Sequence, residues 1–222
     1  MRSAAWSQRK KHILPLVRRK QKLDTCISGL TRGDSEKFTL PARKADAVKA
    51  FEGFNTAVRA IIDMPQNELS KWAVFDTCVY PVPTFIRGRV CISGDAAHAA
   101  ATYHGTGASF AVEDAAVLAQ LLSTADEYTE SHDVENGGIS KPNLLRKSLE
   151  TYNSIRLERA HWLVETSRHI GKIYQGQNAE VGVDSTKCAQ EIDWRCRKIW
   201  HYDVNQMTRE TKELFTKQLE TV

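Results

Sequence analysis

A helix-rich α/β fold, with a short mixed sheet and four or five helices, is what this sequence predicts. Three observations carry the prediction. Brief apolar runs such as Val90-Cys91-Ile92 have the length and β-branched bias of strands. Much longer stretches repeat their apolar residues at three and four positions, the helical period. Gly, Pro and Asn collect at the junctions, where one period gives way to the other. With 41% hydrophobic and 26% charged residues, a chain of 222 can bury one sizeable core or two small ones. No run approaches the roughly 18 apolar residues that span a bilayer, and the charged start lacks the apolar centre of a secretory signal.

Residues 1–35 show little periodicity beyond Ile13-Leu14 and Leu16-Val17. The first 22 residues hold eight bases (Arg2, Arg9, Lys10, Lys11, Arg18, Arg19, Lys20, Lys22) and no acid, so the rest of the chain is mildly acidic. Such a start suits nuclear targeting, a transit segment or nucleic-acid contact. With two clusters and Trp6 as the sole interleaved aromatic, a solvated, poorly ordered beginning is favoured over a nucleic-acid partner.

Phe38-Thr39-Leu40 reads as a strand ended by Pro41. From about Ala42 to Ile62, the positions Val48, Phe51, Phe54, Val58, Ile61 and Ile62 follow a helical period that Pro65 and Asn67 stop. Trp72 to Val79 reads as a strand. Pro81, Pro83 and Gly88 then lead into Val90-Cys91-Ile92, which suits a strand buried on both faces. Gly94-Asp95 ends it. Ala108, Ala111, Val112, Ala115, Leu118, Ala119 and Leu122 form the stripe of a helix opening at Gly107. Ser123 to Ser140, acidic and containing Gly137-Gly138, reads as a surface loop. Ser140 caps and Pro142 opens a helix to about Tyr174, with Leu145, Leu149, Tyr152, Arg156, Leu163, Ile170 and Ile173 along one side. Residues 184–200 and Asn205 to about Leu219 make two more amphipathic helices.

The chemistry concentrates between Gly88 and Leu122. Gly105 and Gly107 allow a tight turn and a close backbone approach to a ligand. In the helical turn that follows, Gly107, Ala108 and Ser109 leave N–H groups unpaired with only small side chains in the way, a place for an anion or a polarised carbonyl oxygen. An ordinary strand, loop and packed helix explains the same glycines equally well. A dinucleotide fingerprint starting at Gly105-Thr106-Gly107 does not: Phe110 occupies the third glycine, the glycines do not follow the strand directly, and no second strand ends in an acid.

In order and spacing, Gly94-Asp95-Ala96-Ala97-His98, Gly105 to Ser109 and Glu113-Asp114-Ala115 resemble the second flavin-contacting motif of the FAD-dependent aromatic hydroxylases, the flavoprotein monooxygenases of salicylate hydroxylase type. Phe51 to Phe54, the Trp72 stretch, Gly88-Arg89-Val90 and Tyr152-x-x-x-Arg156-x-x-Arg159 extend the resemblance from about residue 36 to the C-terminus. It implies the C-terminal part of the FAD/NAD(P)-binding flavoprotein monooxygenase fold, with the N-terminal dinucleotide-binding half missing, because the family's first glycine motif and its Asp-Gly motif are not found. Residues 1–35 are then an unmatched basic segment, 36–87 a remnant of the substrate domain, and 88–222 the C-terminal part of the FAD-binding domain.

The resemblance further implies FAD as cofactor, NAD(P)H as reductant and a small aromatic substrate such as a salicylate-like acid. Cofactor-binding residues would be Gly94, Asp95, Gly105, Thr106, Gly107, Ala108 and Ser109. Asp95 would accept hydrogen bonds from ribityl hydroxyls. The Gly105 to Ser109 backbone would lie against the isoalloxazine, and the helix N-terminus would stabilise negative charge there by up to about 2 kcal/mol. No catalytic residue is assigned. Thr102 stands where the family usually has proline, and Ser109 where glycine is common. The alternative is a non-catalytic remnant or interaction module of that fold, with weak or no flavin binding.

The remaining polar residues take structural roles. Arg156 and Arg159 are expected as ion partners, Glu113 and Asp114 as capping carboxylates near a helix N-terminus, which the resemblance implies could also order the flavin loop, and His98 as a packed or hydrogen-bonded core residue. His98 and His104 find no third ligand at a metal spacing, and Ser93 and Ser109 have no placed base for hydrolysis. Cys26, Cys78, Cys91, Cys188 and Cys196 contain no C-x-x-C pair, which fits reduced thiols in the cytoplasm.

Overall fold

The structure, a computed structural model, describes residues 12–16, 24–28, 39–65, 67–132 and 138–221. The chain divides into two compact units, residues 1–75 with 174–177 and residues 76–173 with 178–222. Among the described residues the strands form three separate two-stranded antiparallel ribbons rather than one mixed sheet.

In the first unit, β1 (His12–Leu16) pairs with β2 (Asp24–Ser28), Ile13 opposite Ile27. The rest of the basic start, and the expectation that it is poorly ordered, lies outside the described residues. β3 (Thr39–Arg43) pairs with β4 (Glu68–Trp72), so Pro41 sits inside a strand instead of ending one. A two-stranded ribbon has outward edges where a missing N–H breaks no ladder bond. The same pairing ends the second strand at Trp72, where the sequence suggested a start. Between them the single expected helix is two, α1 (Lys44–Ala50) and α2 (Thr56–Asp63). Asn55 divides them: its side chain accepts from the Val58 N–H at 3.0 Å and so starts a new helix. Phe51 is buried at the break and packs on Phe54, ring centroids 5.1 Å apart.

The second unit is built from helices. β5 (Ile86–Arg87) and β6 (Val90–Cys91) make a short hairpin, extended by the Ile92 N–H to Phe85 carbonyl bond at 2.9 Å. Val90 is 66% exposed, so this strand is not buried on both faces: β5 is its one partner among the described residues. After α3 (Asp95–His98) and a short 3-10 turn (Thr102–His104) come α4 (Gly107–Ser131), α5 (Lys141–Tyr174), α6 (Ser185–Trp200) and α7 (Val204–Glu220). Asp184 and Asp203 cap α6 and α7 through their carboxylates. Phe85, Val117, Leu121, Leu144, Tyr152 and Phe215 are the large residues of the main core.

Two expectations for α4 are corrected. The helix runs on through the supposed loop to Ser131, because α7 packs along it; Thr124, Thr129 and Ser131 are accommodated there by placing their hydroxyls on carbonyls four residues back. Its buried face is also a different one. Phe110, Glu113, Asp114, Val117, Leu121, Thr124 and Ala125 point inward, whereas Val112, Ala115, Ala119 and Leu122 of the anticipated stripe are exposed. Two buried acids thus occupy positions that a hydrophobicity pattern assigns to solvent.

At Gly171 of α5 an added Cβ would stand 2.4 Å from Tyr103 Cε2. Tyr103 packs against the cluster of Ile170, Ile173 and Val181. Gly to Ala inside a helix ordinarily stabilises by about 1 kcal/mol. Here overpacking reverses the sign: Gly171→Ala should lose about 1–3 kcal/mol in urea unfolding.

Candidate functional site

The site residues lie where β6 gives way to α3 and where α4 begins, all within the second unit. Gly94 has φ +58°, a conformation that L side chains rarely adopt, and its missing Cβ would meet Ala111 Cβ at 3.4 Å. Its carbonyl accepts from the N–H groups of Ala97 and His98, each at 2.9 Å, closing α3 as a single turn. Asp95, first in that turn, is exposed, and its Oδ1 lies 3.9 Å from where a Cβ on Gly107 would stand. The acid therefore sits beside the start of α4.

Gly105 adopts the left-handed conformation with φ +66° and redirects the chain into α4. Thr106 precedes the helix without capping it, and its Oγ1 is buried with no hydrogen-bond partner among the described residues. The first helical bond is from the Phe110 N–H to the Thr106 carbonyl at 3.2 Å, so the N–H groups of Gly107, Ala108 and Ser109 precede the backbone ladder. The Ser109 hydroxyl also turns back to the Thr106 carbonyl, at 2.7 Å. Gly105, Ala108 and Ser109 are exposed, leaving the bend open along one side.

Behind this surface lies a buried ionic cluster. Asp114 is fully buried and accepts from the Gly94 N–H at 2.9 Å, from Arg156 Nε at 2.7 Å, and from His98 Nε2 at 2.7 Å. Burial alone would raise its pKa. The bonds from His98, the Gly94 N–H and Arg156 together outweigh it and hold the carboxyl below its ordinary 3.8. Arg156, equally buried, donates to Glu113 Oε2 at 2.6 Å and to the Phe110 carbonyl at 3.3 Å. Arg159 closes the set with two bonds to Glu113, both 2.8 Å, and its guanidinium lies 3.3 Å from the Tyr202 ring centroid. Tyr152 donates to the Ile92 carbonyl at 3.1 Å. Burial, with the charge of Asp114, drives its phenol above the ordinary range and keeps it a donor.

His104 contacts Thr166 Oγ1 at 3.4 Å and stands 4.0 Å from Cys196 Sγ. Burial and the charge of Arg195 lower its pKa, while burial and Asp193 raise that of the Cys196 thiol. Both are therefore neutral near pH 7. No group of three or more potential metal ligands occurs among the described residues, and no helix there is long and apolar enough to cross a membrane.

All seven sequence-chosen residues fall on these two neighbouring turns. Arg156 and Arg159 are ion partners and His98 is a hydrogen-bonded core residue, as expected. Glu113 and Asp114 are not capping groups at all, since they lie beyond the first turn of α4 and face inward. What sequence reasoning missed is the bond from Asp114 back to Gly94 across 20 residues. The paired charges Glu113-Asp114 and Arg156-x-x-Arg159 were its only trace.

The FAD binding domain family matches residues 33–136, a span that includes both turns and Asp114. The chain is 74% identical over 186 residues to the dual trans-enoyl reductase/FAD-dependent monooxygenase tazHJ of Aspergillus terreus, covering 84% of this chain and 27% of that protein. It is 46% identical over 185 residues to the FAD-dependent monooxygenase pigN of Monascus ruber, covering 83% and 41%. Among solved structures, a salicylate hydroxylase substrate complex superposes with a TM-score of 0.73 at 27% identity, over 92% of this chain and 48% of that one. The chain thus spans between about a quarter and a half of the proteins it matches.

Two outcomes follow from the ionic cluster. Arg156→Met removes the shared buried cation, leaving Glu113 with Arg159 and Asp114 with His98 and the Gly94 N–H, and should lose about 3–5 kcal/mol in chemical unfolding. Because the Asp114 pKa is depressed by folding, its stabilisation is complete above about pH 4 and disappears as pH falls through the folded-state value. Thermal melts from pH 7 to pH 3 should therefore show a drop below about pH 4 that Asp114→Asn flattens.

Proposed function

We propose that this homologue of the FAD-dependent aromatic hydroxylases contributes the ribityl and ring-facing part of a flavin site. The observation that carries the reading is the juxtaposition of the exposed Asp95 carboxylate with the uncapped, small-residue start of α4, 3.9 Å from the Gly107 Cβ position. A carboxylate is an acceptor-only group suited to sugar-alcohol hydroxyls. The N–H groups of Gly107, Ala108 and Ser109 offer donors to the carbonyl oxygens of a flat heterocycle.

The residues present fit the group. Asp95 would hold the ribityl chain, and the backbone from Gly105 to Ser109 would support the ring, with no side chain larger than serine or threonine between them. Flavin supplies the redox and oxygen chemistry when bound. The protein's own part is to orient the ring and to place the positive end of α4 against developing negative charge. NAD(P)H as reductant and a small, electron-rich aromatic acid as substrate complete the reading. They are supported by the similarity to monooxygenases and to a salicylate hydroxylase. Residues 36–87 would then belong to the substrate side, 88–222 to the flavin side, in a cytoplasmic enzyme.

Titration with FAD tests the site directly. The purified protein should turn yellow, quench flavin fluorescence and shift the visible bands. Asp95→Ala should weaken binding by about 10-fold or more, the effect of losing hydrogen bonds to a charged acceptor. Oxidation of NAD(P)H stimulated by an aromatic acid would support turnover. Protein that stays colourless in excess FAD would point to the non-catalytic remnant instead.

A further inference from the structure

We infer that Asp114, together with His98, is a positioning residue for flavin: it touches no ligand, yet it sets the spacing between Asp95 and the start of α4. This rests on the reading that those two elements hold the flavin. Asp114 Oδ2 takes the Gly94 N–H at 2.9 Å, immediately before Asp95, and His98 Nε2 at 2.7 Å, at the far end of the same turn. One carboxylate oxygen therefore grips α3 at both ends. The other oxygen takes Arg156 Nε at 2.7 Å, which fixes the carboxylate itself.

Asp114 also belongs to α4, seven residues beyond Gly107, so the helix rigidly connects it to the open bend. The distance between the Asp95 side chain and the Gly107 backbone is thus governed by bonds that converge on a single buried group. Glu113 provides the contrast. It is almost as buried and shares Arg156, with Arg159 as a second partner, but it reaches neither Gly94 nor His98. A purely structural role would make the two acids equivalent toward flavin; a positioning role separates them.

His98 adds a second line of evidence. Its ring is fully buried, and Nδ1 has no hydrogen-bond partner among the described residues, so the Nε2 bond to Asp114 is the ring's one polar contact there. A glutamine amide offers an N–H donor of similar reach, whereas leucine offers none. In Asp114→Asn, one amide oxygen must serve donors from both directions, and either the Gly94 N–H or Arg156 Nε is left facing an NH2 group.

The experiment is FAD titration of the full chain and four variants, followed by flavin absorption and fluorescence, with amide hydrogen exchange of residues 94–98 in the flavin-free proteins. Asp114→Asn and His98→Leu should each weaken FAD by about 10-fold or more and speed exchange in that turn, with a changed visible spectrum of whatever flavin is bound. His98→Gln and Glu113→Gln should bind within about 3-fold of wild type, although Glu113→Gln loses stability through Arg156 and Arg159. Should Asp114→Asn fail to fold, the His98→Leu and His98→Gln pair carries the test. Equal weakening by Glu113→Gln, or no rescue by glutamine at position 98, overturns the inference. Wild-type binding with Asp114→Asn unaffected overturns it alone and leaves the flavin site standing, whereas a wild-type protein that takes up no FAD overturns both.

Discussion

The contact between the Asp114 carboxylate and the Arg156 guanidinium is the constraint on which the second unit depends. Neither side chain reaches solvent, and each is held by further bonds from different elements. Arg156 stands on α5, its partners Asp114, Glu113 and the Phe110 carbonyl belong to α4, and Met207 of α7 lies 3.7 Å from the same guanidinium. Charges removed from water are costly, and a well-packed apolar substitute is often as stable. What the ion pair adds is uniqueness of arrangement: few alternative packings satisfy five donors and two carboxylates at once.

This constraint also explains why sequence legibility was uneven. The two turns of the site could be read because their chemistry is local: Gly94-Asp95 and Gly105 to Ser109 need only neighbouring residues to announce a strand end and an open helix start. The lengths of α5, α6 and α7 were legible for the same reason, with Pro142 near the start of α5 and apolar stripes marking α6 and α7. The face of α4 was not. An apolar stripe presumes that burial follows hydrophobicity, and Glu113 and Asp114 violate that presumption through partners more than 40 residues away. The reach of α4 past Ser123 failed similarly, since Thr124 and Thr129 look like loop residues until their hydroxyls are seen bonded within the helix.

The strands teach a related lesson. Val90-Cys91-Ile92 has the composition of an interior strand, yet Val90 is largely exposed on a two-stranded hairpin. Apolar composition records what a segment can bury, and pairing decides what it does bury. In the first unit the helical period from Val48 to Ile62 is genuine but passes over the break that Asn55 imposes, because periodicity is blind to a cap that restarts the same phase. The motif resemblance drew on residue identity at fixed spacing, and so it survived these local misreadings.

Gly94 carries a consequence for how this chain can drift. Its backbone angle is one that side chains rarely adopt, an added Cβ would already touch Ala111, and its N–H is already committed to a buried acid. Every amino-acid replacement reachable from a glycine codon introduces a Cβ, so that codon has no neutral exit. Its exposed neighbour Ala96 has no such restriction. Variation between lineages should therefore collect around this glycine, with the position itself silent at the protein level.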